Sequence, residues 1–261
     1  MKILKLDDMT SPNLNVLVYA PPGHGKTRFM GTMAKVCKPL ILSAESGLLS
    51  LKKLSKELNY NFDYFPITNY SDLETAYKYL AFGNKEKFTG VGMDSITEIQ
   101  KVCMDAILLA EGRDKAMIQD WGTLNQKMVS LIRSFRDLDM HFMGTCLSDR
   151  DKDEETGQIM TMPYVQGALQ KTIDGYFDEV FYLHAKDIKQ ADNSVKTTRW
   201  LQTQGTNNIR AKDRSGVLNR EEPADFKVIY DKIIGQTKKT EAPKVEAPKA
   251  EVKQLKLEEK S

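Results

Sequence analysis

Eight consecutive residues, Ala20-Pro-Pro-Gly-His-Gly-Lys-Thr27, carry the chemistry most directly legible in this chain. They follow the phosphate-binding pattern G-x-x-x-x-G-K-[ST], with Ala20 in place of the first Gly. Glycines allow successive backbone N–H groups to converge on a phosphate. A lysine adds a point charge beside the β and γ phosphates, and a following hydroxyl can ligate Mg²⁺. Ala20, Pro21, Pro22, Gly23, His24, Gly25, Lys26 and Thr27, with Arg28 next in line, are therefore expected to hold ATP and Mg²⁺. His24 is expected to serve through its backbone N–H while its side chain points outward.

Two acids complete a hydrolytic site. Thr89-Gly-Val-Gly-Met-Asp94-Ser95 is an extended segment ending in a carboxylate. An Asp at the carboxyl end of a parallel strand sits where it can hold Mg²⁺ through water. Asp94 is the expected metal-side acid, although Asp-Ser-x-Thr also suits capping of the helix that follows. Hydrolysis further needs a group that orients or deprotonates water. Pro39-Leu-Ile-Leu-Ser43 runs into Ala44-Glu45, which sets Glu45 at the same sheet edge as the candidate base. Glu98 competes, but four residues beyond Asp94 it belongs to the next helix.

Positioning these groups requires strands that end side by side. Leu14–Ala20, Pro39–Ser43, Phe62–Ile67, Thr89–Asp94 and His141–Cys146 are short apolar runs. They alternate with helix-period segments over Arg28–Lys38, Gly47–Leu58, Ser71–Phe82, Thr97–Glu111 and Gly122–Leu138. That alternation predicts an α/β fold with a mostly parallel central sheet. Ser148–Gly157 is polar with a turn signal and reads as a protruding hairpin or mobile loop. Asp178–His184 and Lys196–Gln202 form a late strand pair about a turn at Ala191–Asn193, and Asp225–Ile234 closes the domain as strand or helix. Residues 1–235 make one domain. From Gln236 to Ser261 an E-A-P-K/V-x unit repeats without large apolar residues, too polar to offset the entropy of ordering, so this tail is expected to be disordered.

The composition narrows the function classes. Lys and Arg number 38 against 36 Asp and Glu. The tail holds seven Lys and five Glu, which leaves 31 of each sign in residues 1–235 and a neutral domain. A strongly basic nucleic-acid binder is excluded, and any DNA contact must be local. Cys37, Cys103 and Cys146 are odd in number and lie in apolar surroundings, as reduced core thiols do, which argues against a disulfide framework or zinc site. His141 and His184 sit on apolar strands as core or edge residues. With no leader-like run and no membrane-length apolar stretch, the expected location is the cytoplasm.

The motifs APPGHGKT, LILSAESG, VGMDSITEI and NIRAKDRSG together resemble the RecA-like P-loop core, and more closely the Sak-type single-strand annealing ATPases of phages, over residues 13 to 235. The resemblance implies an ATPase in recombination or annealing of single-stranded DNA, working as a homo-oligomer, filament or ring, in the cytoplasm of an infected bacterium. It agrees with Lys26, Thr27, Glu45 and Asp94 in the roles above. It adds that basic residues late in the core reach across a subunit interface to the γ-phosphate, a role that falls here on Lys212 and Arg214. A solvated basic turn is the plainer reading of that segment. With the loop starting at Ala20, no N-terminal oligomerisation domain is expected.

Single-stranded DNA is usually held by a basic groove with stacking aromatics. Arg113, Lys115 and Trp121 in one expected loop, Gly112–Trp121, and Tyr164 and Lys171 near the other, Ser148–Gly167, are the candidates. Asp149, Asp151, Asp153, Glu154 and Glu155 work against them. The apolar-basic Val252–Leu257 in the tail could recruit a single-strand binding protein. The alternatives are a nucleotide-switched protein-binding module without DNA activity, or a RecA-like helicase or motor.

Overall fold

The computed structural model describes residues 13–45, 47–83, 87–152, 157–189 and 193–239. Chain order is β1 (Asn15–Ala20), α1 (Lys26–Gly31), β2 (Pro39–Ser43), α2 (Leu49–Leu58), β3 (Asp63–Pro66), α3 (Tyr70–Phe82), β4 (Gly90–Asp94), α4 (Ile96–Ala110), α5 (Ile118–Arg136), β5 (His141–Lys152), β6 (Ile159–Pro163), α6 (Leu169–Thr172), β7 (Glu179–Lys189), β8 (Val195–Gln202), β9 (Lys212–Asp213), β10 (Glu221–Pro223) and α7 (Phe226–Lys239).

The alternation of side chains along β1 shows how the layers arise. Successive residues of a strand face opposite sides of its sheet. Leu17 and Tyr19 pack into a layer with Leu73 of α3, Ile99 of α4 and Phe135 of α5. Val16 and Val18 pack on the other side with Phe29 and Met30 of α1 and with Phe226 and Ile229 of α7. Both faces of β1 are buried, which is why its sequence is a continuous apolar run rather than an alternating one. The sheet order is β10-β8-β7-β1-β5-β4-β2-β3, with β6 paired to β5 and β9 to β7. Strands β3, β2, β4, β5, β1 and β7 are parallel to their neighbours within that run, whereas β8, β10, β6 and β9 add antiparallel. The α/β class, the mostly parallel sheet and the late hairpin, β7–β8, match the expectation.

Sheet order also explains the site. After β1 the chain leaves to β2, and β4 and β5 later fill the gap between them, so the carboxyl ends of β1, β4 and β2 come to one edge. Ser43 and Asp94 are register partners there. Gly92 on β4 permits the close approach of α1: a Cβ at this position would fall on the Met30 sulfur. The bare backbone thereby seats the helix that begins with Lys26 and Thr27 against the strand that ends in Asp94.

Several local expectations change. The segment 28–38 is not one helix: α1 stops at Gly31 and a tighter 3₁₀ turn covers Thr32–Lys35. Ser148 to Lys152 continue β5 and pair antiparallel with β6, which is the hairpin of the two forms expected for this segment. Its acidic tip, Asp153, Glu154 and Glu155, lies outside the described residues. Trp121 is not in a loop, because α5 starts at Ile118. Of the strand or helix expected over Asp225–Ile234 the chain forms the helix, beginning at Phe226, and α7 runs to Lys239, into the segment expected to be tail. Residues 240–261, including Val252–Leu257, lie outside the described residues, as do residues 191 and 192 of the late turn. All three cysteines are buried free thiols. Among the described residues no helix is long and apolar enough to cross a membrane.

Candidate functional site

The loop from Ala20 to Lys26 turns on two residues with positive φ, Gly23 at 77° and Gly25 at 101°. These left-handed values are cheap only for glycine. The N–H groups of Gly23, His24 and Gly25 have no acceptor among the described residues, the condition of a backbone nest for an anion. Lys26 is buried at 8% exposure. Its Nζ donates to the carbonyls of Ala20 at 3.0 Å and Pro21 at 3.2 Å, folding the ammonium back across the loop. Burial lowers its pKa, and the nearby Glu45 and Asp94 carboxylates oppose that shift. The His24 ring turns to the Pro22 carbonyl, 3.1 Å from Nδ1.

Asp94 is 1% exposed. A buried carboxylate needs donors, and it has two hydroxyls. Thr27 Oγ1 donates to Oδ2 at 2.7 Å, and Thr145 Oγ1, from β5, donates to Oδ1 at 2.6 Å. The loop hydroxyl and the strand-end carboxylate are thus in contact. A hydroxyl and a carboxylate are hard oxygen donors that suit Mg²⁺, which keeps several waters and takes substrate phosphates as further ligands. The fit does not call for an all-protein cage, and no group of three His, Cys, Asp or Glu is arranged as one among the described residues.

Glu45 stands on the same edge. Its N–H and that of Ala44 donate to the Asp94 carbonyl, at 3.3 and 2.8 Å, which ties the turn after β2 to the end of β4. Its Oε1 accepts from the Ser95 hydroxyl. Ser95 is also the N-cap of α4, accepting from the Glu98 N–H, so one side chain starts the helix and orients the acid. The capping role considered for Asp94 belongs to Ser95. Glu98 is instead salt-bridged to Lys101 one turn along α4.

The other candidates are dispersed. Arg28 is paired with Glu57 of α2. Lys212 lies on β9 opposite Val180, which is itself level with Leu17, so it sits toward the amino end of the parallel strands, away from its own loop. Its Nζ donates to the carbonyls of Asp174 and Phe177, and burial lowers its pKa. Lys212 is therefore no solvated turn residue. Arg214 reaches Asp178 at 2.6 Å with 59% of its side chain exposed. Arg113 is not free for a phosphate: it grips the buried Asp120 with two bonds of 2.8 Å, while Asp120 also accepts the Met117 N–H and so starts α5. That pairing raises the pKa of Arg113 and lowers that of Asp120. Trp121 and Tyr164 border one open cleft of about 360 Å³ with Asp149, Gln166 and Gln170. Lys115 and Lys171 are exposed.

Two partners of the site carry no sequence signal of their own. Thr145 is a hydroxyl inside an apolar strand, and Arg199 belongs to the late hairpin, where its Nε donates to the His24 carbonyl at 2.9 Å.

Among curated proteins none matches the chain. Among solved structures, an ATPase from the type III secretion system of pathogenic bacteria aligns with a TM-score of 0.44 and 13% identity, over 66% of this chain and 52% of that one. This chain thus spans about half the length of that protein. A family described as an AAA domain matches residues 12–215, which include the phosphate loop, Glu45, Asp94, Arg199 and Lys212. This chain belongs to the AAA domain family of P-loop ATPases.

Proposed function

We propose that this protein hydrolyses ATP with Mg²⁺ to act on single-stranded DNA, in the recombination or annealing role that the phage Sak-type resemblance implies. The observation that carries the hydrolytic part is the convergence of Thr27, Asp94 and Glu45 at one sheet edge, with Thr27 bonded to Asp94 and Glu45 held by Ser95. The backbone N–H groups of the loop and Lys26 bind the phosphates, and Thr27 and Asp94 would hold Mg²⁺, which would supply positive charge against the phosphates. Glu45 accepts the proton of the attacking water, with its carboxylate fixed by the Ser95 donor.

DNA contact is supported by the cleft that Trp121 and Tyr164 border, where two aromatic rings offer base-stacking surface. Subunits assemble side by side, with Arg214 of one completing the site of the next; its exposure supports that reach. A second reading, a nucleotide-switched protein-binding module, is favoured by the exposed Leu109, Met117 and Ile118 around the α4–α5 turn. ATPase activity measured with and without single-stranded DNA tests both. Stimulation supports the DNA reading; unstimulated ATPase activity in a protein that retains no single-stranded DNA supports the module.

A further inference from the structure

Arg199 reaches the phosphate loop from more than a hundred residues away. It sits on β8 opposite Ala185 of β7, and its carbonyl accepts from the Ala224 N–H, so its backbone is held on both sides. Among the described residues its guanidinium donates to one protein group, the His24 carbonyl at 2.9 Å. It lines a groove of about 320 Å³ together with Gly25, Arg28, Phe29, Thr198 and Trp200. A Cβ at Gly25 would stand 2.5 Å from Arg199 Nε and 2.8 Å from its Cδ. Gly25 therefore answers two demands: a φ of 101°, and room for an arginine lying flat on the loop.

We infer that Arg199 is a positioning residue for nucleotide binding, acting through the peptide between His24 and Gly25. That peptide is trans. In a planar trans peptide the carbonyl and the N–H point in opposite directions. Fixing the His24 carbonyl outward on the guanidinium aims the Gly25 N–H inward, where the loop gathers its donors. The Gly25 N–H has no acceptor among the described residues, so its orientation has to be set from the carbonyl side. An unanchored peptide here could rotate and present its carbonyl to an anion, which would repel it. The late hairpin thus presets the anion nest.

This inference rests on the reading of the loop as a nucleotide site, and the two can fail separately. A fluorescent ADP analogue is titrated into the wild type, Arg199→Met and Arg199→Lys, and nucleotide-free melting is recorded for each. Arg199→Met keeps the length of the side chain and removes the donor; it is expected to weaken ADP binding about tenfold, the scale of one charge-assisted hydrogen bond. Nucleotide-free melting is expected to stay at the wild-type value. Arg199→Lys, which keeps a donor, is expected to recover part of the affinity. In ATPase assays KM should rise while kcat stays near wild type. Equal ADP affinity in wild type and Arg199→Met overturns the inference alone, as does lower kcat with unchanged ADP affinity, the mark of a γ-phosphate contact. Early melting of both variants also overturns it, making Arg199 a residue of the fold. Failure of the wild type to bind overturns the nucleotide reading itself.

Discussion

The Thr27 hydroxyl donates to Asp94 Oδ2 at 2.7 Å, joining the first residues of α1 to the last residue of β4 across 67 positions of sequence. The pair has no reason to meet on grounds of core packing, since both groups are polar and Asp94 is buried. Burying a carboxylate costs several kcal/mol unless donors surround it. The fold accepts that cost at the edge where the phosphate loop opens.

Lys26 is the cation inside that loop. Lys26→Ala should abolish measurable nucleotide binding while the domain stays folded, because the ammonium's partners are loop carbonyls rather than core groups. Calorimetric titration with ATP and Mg²⁺ checks it; wild-type affinity in the variant would refute the phosphate-loop reading.

Glu45 and Ser95 should separate chemistry from binding. Glu45→Gln is expected to keep ATP affinity and lower hydrolysis by about 10²-fold or more, the scale of general-base loss. Ser95→Ala leaves the base present but unheld, so its rate should lie between that variant and wild type. Single-turnover phosphate release measures both, and undiminished turnover in Glu45→Gln would shift the role to another group.

These acids were legible because each ends a short apolar run, and a parallel sheet brings such ends to one edge whatever the intervening length. The loop was legible because its glycines, lysine and threonine are adjacent. Contacts made only by the tertiary fold were not. Arg199 and Thr145 have no local motif, and their roles depend on which strands become neighbours of β1 and β4. Trp121 was misread as a loop residue because the start of α5 is set by an arginine–aspartate clasp, Arg113 on Asp120, rather than by a Ser, Thr or Asn cap. The Lys212 segment looked like a surface turn because its basic residues suggest solvent, yet pairing with β7 at two register positions draws it inward.

At that same end of β7, Glu179, the register partner of Asp213, is 2% exposed and its Oε2 has no hydrogen-bond partner among the described residues. Burial, reinforced by the neighbouring Asp213 carboxylate, pushes its pKa up to about 8. A raised folded-state pKa contributes stability that is fully present below the ordinary glutamate value and is lost as pH rises through about 8. Burial lowers the pKa of His141 and of His184, so each adds an opposing slope around the ordinary histidine value of ~6.5 that fades as pH rises beyond it. Above about pH 7 the Glu179 contribution should therefore dominate, and the wild type should lose stability as pH rises through about 8, with a slope below ~1.4 kcal/mol per pH unit. Glu179→Gln should flatten that slope in urea unfolding series, and an unchanged slope would assign the proton to another group.

Lys212 and Arg214 differ in what their removal should do. Lys212 holds the carbonyls of Asp174 and Phe177, so Lys212→Ala should lower the melting temperature and impair hydrolysis through the fold. Arg214 is exposed and, among the described residues, paired at the surface with Asp178, so Arg214→Ala should leave melting and nucleotide affinity at wild-type values. If Arg214 completes a neighbouring subunit's site, the same variant loses hydrolysis. Mixing it with Glu45→Gln then restores part of the activity, because one kind of mixed interface pairs an intact Glu45 with an intact Arg214. Rescue stays partial, since the reverse interface carries both lesions. A titration of one variant into the other, read as phosphate release, distinguishes the cases. Activity that never exceeds the sum of the separate variants at any ratio removes the shared site, and with it the argument that hydrolysis requires assembly.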